Sequence, residues 1–197
     1  MEQKIDLTNK FILDACCSGR EMWFNKKHPN TIYIDIREEE KGFIKERPNF
    51  CIKPDIVMDF RKLKFPDKSF KLVVWDPPHM KARKLTGVMV KKYGGLIPET
   101  WQSDLKRGFK EIWRVLEDYG VLIFKWNNYH IKFKKVLSLF PIEPLFGNIS
   151  TNTPKSQTKW FCFMKIPESV GQFCPSGRII ATKRDSDESP NSLRNFV

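Results

Sequence analysis

The sequence predicts an α/β fold, doubly wound, with a mostly parallel sheet flanked by helices. Three observations carry this. Short apolar runs of strand length alternate with stretches of helical period. Four successive runs end in an aspartate, at Asp14, Asp35, Asp59 and Asp76. The fourth run is stopped by the diproline Pro77-Pro78, which cannot continue a strand interior. Strands that alternate with helices imply parallel neighbours, because parallel strands need a crossover connection.

The elements follow in order. Residues 11–14 form the first strand, and Ala15 to Arg20 a loop of small residues. Glu21, Met22, Trp23 and Phe24 are expected to begin a helix. Residues 31–35 are the second strand. The charged, proline-marked stretch 37–50 reads as a loop or a short helix, and 54–59 as the third strand. Residues 71–75 are the fourth strand. Leu105, Phe109, Ile112, Trp113 and Leu116 recur at helical spacing, and Asp118-Tyr119-Gly120 punctuates the end of that helix. Residues 121–126 are the fifth strand and 131–140 the next helix. A loop over 147–158 leads into a last strand at 159–164. From Pro167 the composition turns polar and turn-rich. One domain over 1–166 and a disordered tail over 167–197 are therefore expected.

A chain of 197 residues suits one domain with a substantial core, for which 16 Phe and 6 Trp supply the bulk. No apolar run reaches the roughly 18 residues of a membrane-spanning helix, and the N-terminus lacks the apolar core of a signal peptide. Cys16, Cys17, Cys51, Cys162 and Cys174 are odd in number and show no metal-ligand spacing. They read as reduced thiols of a cytoplasmic protein. The net charge is +12. Residues 81–135 concentrate it, with 13 Lys/Arg against 5 Asp/Glu, starting just after Asp76-Pro77-Pro78-His79. A basic region beside a candidate site suits a polyanion such as nucleic acid, and the alternative is a solvated lysine-rich surface.

Asp76-Pro77-Pro78-His79 places an acceptor-rich corner at the carboxyl edge of the sheet, where open α/β sheets bind ligands. The loop of small residues after the first strand lets a ligand approach its backbone, and reads equally as an ordinary strand-to-helix turn. Asp35 lies 21 residues after Asp14, the spacing of a ribose-binding acid. The alternative for Asp35 is a solvated acid at a strand end.

The tetrapeptide Asp76-Pro77-Pro78-His79 resembles motif IV, (Asp/Asn/Ser)-Pro-Pro-aromatic, of S-adenosylmethionine-dependent enzymes that methylate exocyclic amino groups of nucleobases. Residues 12–19 resemble motif I of the class I, Rossmann-like methyltransferases. Cys16 or Ala15 stands at the usual first glycine, and Gly19 is retained. Residues 66–75 and 116–124 are similar to the segments that precede the fourth and fifth strands in that family. The resemblance spans residues 9–165.

That resemblance implies S-adenosylmethionine as cofactor, held by Asp14, Ala15, Cys16, Gly19 and Asp35, with Asp59 on the adenine amino group and Phe60 packed nearby. It assigns the Asp76 carboxylate and the Pro77 carbonyl to the two hydrogens of the target amine. Pro78 stiffens the corner, and His79 stands where an aromatic ring stacks on the base. Lys81, Arg83 and Lys84 would touch phosphates from a loop hinged at Gly94-Gly95, or simply be solvated. Lys125 and Trp126 end the fifth strand on the substrate side, where Trp126 would stack a base or pack in the core. No metal is implied. The expected activity is methyl transfer to a nucleobase amino group in DNA or RNA, adenine N6 before cytosine N4. Two alternatives stand beside it: a methyltransferase for a small molecule or protein side chain, and a binding module without catalysis. The chain is short for a separate target-recognition domain, so a protein partner for target choice is a further expectation.

Overall fold

The computed structural model describes residues 5–84, 86–148 and 157–167. Seven strands form one sheet: β1 (Ile12–Asp14), β2 (Thr31–Asp35), β3 (Ile56–Val57), β4 (Phe70–Trp75), β5 (Leu116–Asn127), β6 (Phe146–Gly147) and β7 (Thr158–Met164). Three helices accompany them: α1 (Val88–Tyr93), α2 (Trp101–Val115) and α3 (Phe133–Leu137). The spatial order is β3-β2-β1-β4-β5-β7-β6. The pairs from β3 to β5 are parallel, whereas β7 runs antiparallel to β5 and to β6. The predicted fold class is the one observed. β1 lies between β2 and β4, so strand order reverses there. That is the switch point at which open α/β sheets open a crevice at their carboxyl ends.

The core lies between the sheet and α2. Along α2, Trp101, Leu105, Phe109, Ile112 and Val115 are buried at helical spacing. Phe109 stacks on Phe140 at 4.4 Å between ring centroids and on Trp113 at 5.4 Å. Leu122, Phe124 and Trp126 alternate along β5 toward the same cluster. Gly108 permits the close approach of helix and sheet. A Cβ there would stand 2.6 Å from the Phe60 ring and 2.9 Å from Trp75. On β2, Ile32 and Ile34 join this core. Tyr33, out of phase with them, meets Trp23 edge-on at 5.1 Å and lies under the Arg20 guanidinium at 3.9 Å.

Several elements differ from expectation. The helix expected from Glu21 does not form, and residues 21–30 are turns. Ser18 and Arg20 take positive φ of 46° and 53°, which bends the chain away from a helical start. The Trp23 indole is drawn to Asp14, and the Asn25 side chain caps the Lys27 N–H in a local turn. The β1–β2, β2–β3 and β3–β4 crossovers hold no helix among the described residues. The third strand shrinks to two residues because the Asp55 carboxylate, not a strand carbonyl, takes the Tyr33 N–H.

Strand β5 starts directly at Leu116. Tyr119 at φ 62° breaks its pairing, so the punctuation lies inside the strand instead of after the helix. α3 is shorter than the predicted 131–140. α1 was expected as loop, and β6 overlaps the start of the loop expected from Gly147. The compact unit runs from Met1 to Lys165, and a second unit, Ile166–Val197, is described only at Ile166 and Pro167. The tail expected over 167–197 thus lies, past Pro167, outside the described residues. No helix among the described residues is long and apolar enough to cross a membrane.

Candidate functional site

The carboxyl ends of β1, β2 and β4 bring Asp14, Asp35 and Asp76 together around Cys16. Burial first, and then these three carboxylates, push the Cys16 thiol well above its ordinary pKa. The loop after β1 is stitched to both neighbouring strands: Ala15 N–H donates to Val74 O at 2.9 Å and Cys17 N–H to Ile34 O at 2.8 Å. Cys16, Cys17, Cys51 and Cys162 are free thiols.

Asp14 is fully buried. It accepts from Cys16 N–H at 3.2 Å and from the Trp23 indole N–H at 2.7 Å. Desolvation raises its pKa from 3.8 to about 7, against the pull of those two bonds. The folded state therefore binds a proton that the unfolded chain releases near pH 4. Asp14 favours folding below that pH, and its contribution is lost as pH rises toward 7. We expect Asp14→Asn to remove a stability slope approaching roughly 1.4 kcal/mol per pH unit in this window. Urea unfolding of both proteins at several pH values would reveal it, and parallel pH profiles would contradict it.

Asp35 is held by Ser18 N–H at 2.9 Å on Oδ2, and by Arg37 N–H at 3.0 Å and Arg37 Nε at 3.3 Å on Oδ1. A carboxylate accepts about four hydrogen bonds, so Oδ2 retains room for one donor such as a ribose hydroxyl. A second hydroxyl requires release of the long Arg37 Nε contact. Asp59 repeats the arrangement one strand further out, with Arg61 N–H and Nε on Oδ1 at 2.8 and 2.9 Å. Arg61 continues to Asp104 of α2, so Asp59 is tied to the helix rather than to the Asp14–Asp35–Asp76 group. Phe60 packs edge-on to Trp75 at 5.5 Å. Gly19 is small because Phe50 requires it: a Cβ there would fall 2.4 Å from that ring.

At the β4 end, the pairing of Trp75 with Phe124 sets Asp76 beside Lys125. The Lys125 ammonium donates to Asp76 Oδ2 at 2.5 Å. Asp76 Oδ1 is buried with no donor, and His79 Nδ1, 3.8 Å away, is buried without a full hydrogen bond. Buried polar atoms are nearly always paired, so these two atoms are exceptions, as is Trp75 Nε1. Burial lowers the His79 pKa, Asp76 opposing, which favours neutral imidazole. The His79 ring stands edge-on to Trp126 at 5.4 Å. Trp126 is itself wholly buried, its indole N–H on Ile131 O at 3.0 Å, so of its two expected roles the structure gives the core one.

The segment expected as a hinged loop is ordered against this corner. The Ser18 hydroxyl donates to Lys92 O at 2.7 Å, and Arg37 to Lys91 O at 2.7 Å. Glu21 takes the Lys92 ammonium at 2.5 Å and the Tyr93 hydroxyl at 2.9 Å. Gly94, at φ 80°, lies so near the Pro78 ring that a Cβ would stand 3.0 Å from it. Lys81, Arg83 and Lys84 are exposed. Lys81 leans over Trp101, and Arg83 pairs with Glu99. Sequence reasoning missed Arg37, Ser18 and Trp160. Arg37 and Arg61 carry a signal, Asp-x-Arg at two successive strand ends. Trp160 is 41% exposed, with Lys125 Nζ 5.5 Å from its ring, and so offers the accessible indole that Trp126 does not. No group of His, Cys, Asp or Glu among the described residues is arranged to hold a metal ion.

Sheet order, the reversed β7 and the acids at the switch point define a Rossmann-like fold of the kind found in class I methyltransferases. A protein from Pyrococcus horikoshii OT3 superimposes with a TM-score of 0.50 at 16% identity, over 79% of this chain and 81% of that one. An S-adenosylmethionine-dependent methyltransferase from Methanosarcina mazei gives 0.50 and 16%, over 80% and 92%. At that identity the likeness is one of fold. No protein-family model matches the chain, and no curated protein matches its sequence.

Proposed function

We propose that this protein is an S-adenosylmethionine-dependent methyltransferase acting on an exocyclic amino group of a nucleobase in DNA or RNA, adenine N6 before cytosine N4. One observation supports it above the others: Asp76 Oδ1, a buried acceptor without a donor, at the switch point and beside two prolines. The shared fold with a methyltransferase agrees with this reading.

The residues fit the cofactor. Asp14 and Asp35 place buried carboxyl groups at the carboxyl ends of β1 and β2, beside the loop that follows β1. Asp35 has acceptor capacity for a ribose hydroxyl. When bound, S-adenosylmethionine would supply an electrophilic methyl group on a positively charged sulfur.

The chain's own part is to prepare the amine. Its lone pair is delocalised into the base, so it is a weak nucleophile. Asp76 Oδ1 accepts one amino hydrogen and the Pro77 carbonyl the other, which favours a pyramidal nitrogen. Lys125 fixes the Asp76 carboxylate by a charge-assisted bond, so little reorganisation is needed at the moment of transfer. His79 offers a flat neutral ring beside the base. Most of the acceleration then comes from position and preorganised charge.

The test is to incubate the protein with methyl-labelled S-adenosylmethionine and, in parallel, single-stranded DNA, duplex DNA, total RNA and a metabolite extract. Label in a nucleic-acid pool is the expected result. Label confined to the metabolite pool would replace this reading with a small-molecule methyltransferase.

A further inference from the structure

The helix-free crossovers leave a cleft of about 610 Å³ on the Tyr33 side of β2, walled by Lys10, Ser18 to Arg20, Lys26 to Pro29, Thr31 and residues 49–51 and 53–55. That volume is in the range of ligand sites, about 300–1,000 Å³. Five Lys or Arg side chains line it, against the single carboxylate of Asp55. Asp55 is already taken by Arg20 at 2.7 Å and by the Tyr33 N–H at 3.0 Å. Lys53 pairs with Glu40 at 3.0 Å.

Three ammonium groups remain. Lys10 rests on the backbone carbonyl of Pro29 at 2.6 Å, and no carboxylate among the described residues forms an ion pair with Lys10, Lys26 or Lys27. Asp6 and Glu21 lie within charge range of Lys10 and Lys26, yet cations outnumber carboxylates around this hollow, and an anion relieves the repulsion among them. By contrast, Arg83, one of the cations first assigned to phosphate, is neutralised by Glu99. In the same loop as Lys26 and Lys27, Phe24 is fully exposed although its neighbour Trp23 is anchored on Asp14.

A basic groove beside an exposed aromatic ring is how proteins hold single-stranded nucleic acid, phosphates on the cations and a base on the ring. We propose that this cleft grips the substrate strand away from the target nucleotide, with backbone phosphates at Lys10, Lys26 and Lys27 and a base stacked on Phe24. The proposal rests on the nucleic-acid reading above. Ser18 and Gly19 belong both to the cleft wall and to the loop that bonds Asp35, so the strand would run beside the cofactor corner.

The test uses the full chain and a fluorescein-labelled oligonucleotide of roughly 15 nucleotides, as DNA and as RNA, in anisotropy titrations at several salt concentrations. It compares wild type with Lys26→Gln/Lys27→Gln and with Phe24→Ala. These side chains are exposed, so the fold is expected to persist, with S-adenosylmethionine affinity as control. The double variant should bind about tenfold more weakly, with a salt slope shallower by about 1.4, since each single-strand phosphate contact contributes roughly 0.7. Phe24→Ala should weaken binding about tenfold without changing the slope. If wild type binds and methylates nucleic acid but the variants match it in affinity and slope, the cleft assignment falls and the function stands. If wild type neither binds nor methylates either polymer, both fall.

Discussion

Asp76→Ala is expected to reduce methyl transfer by at least about a hundredfold, the scale on which a preorganised electrostatic partner of a transition state acts. Affinity for S-adenosylmethionine should stay within a few-fold of wild type, because Asp76 Oδ2 is committed to Lys125 and Oδ1 is the atom proposed to receive the amine rather than the cofactor. The variant leaves the Lys125 ammonium without its carboxylate, in a side chain only 23% exposed. Some loss of stability should accompany the loss of rate. Single-turnover rates with saturating cofactor separate the two effects. A fully active Asp76→Ala protein would sink the mechanism.

The second large effect concerns the core. Phe109 is 2% exposed and sits among three rings, Phe140 and Trp113 stacked on it and Phe163 edge-on at 5.7 Å, with Phe140 in turn against Phe124. Phe109→Ala removes the ring that joins α2 to the sheet and leaves a cavity among aromatic neighbours that cannot collapse. We expect a loss of about 3–5 kcal/mol in unfolding free energy. Urea denaturation followed by tryptophan fluorescence measures it. A loss below about 1 kcal/mol would mean that α2 is held mainly by its polar ties, Arg61–Asp104 and Arg114 to the 63–67 segment.

Most of the sheet was legible because strands buried in a parallel sheet must be short apolar runs, and β2 was read to the residue. α2 was legible because a helix covering a sheet shows its period in sequence. α1 escaped because six residues, Val88 to Tyr93, are too few to establish a period. Its real signal is the pair of glycines, Gly87 and Gly94, at φ 87° and 80° on either side. The helix expected from Glu21 failed for a tertiary reason. Trp23 forms a part-buried bond to Asp14, which local propensity does not register.

In the site, the Asp76 corner was visible since strand, carboxylate and diproline are contiguous. The treatment of Asp35 and Asp59 was not. Each is clasped by the arginine two residues later, a pairing whose trace in the sequence is the repeated Asp-x-Arg and whose geometry is set by the turn. Trp126 packs inward and Trp160 is partly exposed for a simple geometric reason. Trp160 is antiparallel partner to Lys125, Trp126 to Lys159, and alternation along β5 turns Trp126 inward.

The central claim is that the Asp76-Pro77 corner prepares an exocyclic amine. Its most direct test is mass spectrometry of nucleosides digested from the methylated polymer, with wild type and Asp76→Ala side by side. The account predicts N6-methyladenine, or failing that N4-methylcytosine, from wild type and neither from the variant. A methyl group on a ring nitrogen, a ring carbon or the ribose, or equal yields from both proteins, would contradict it.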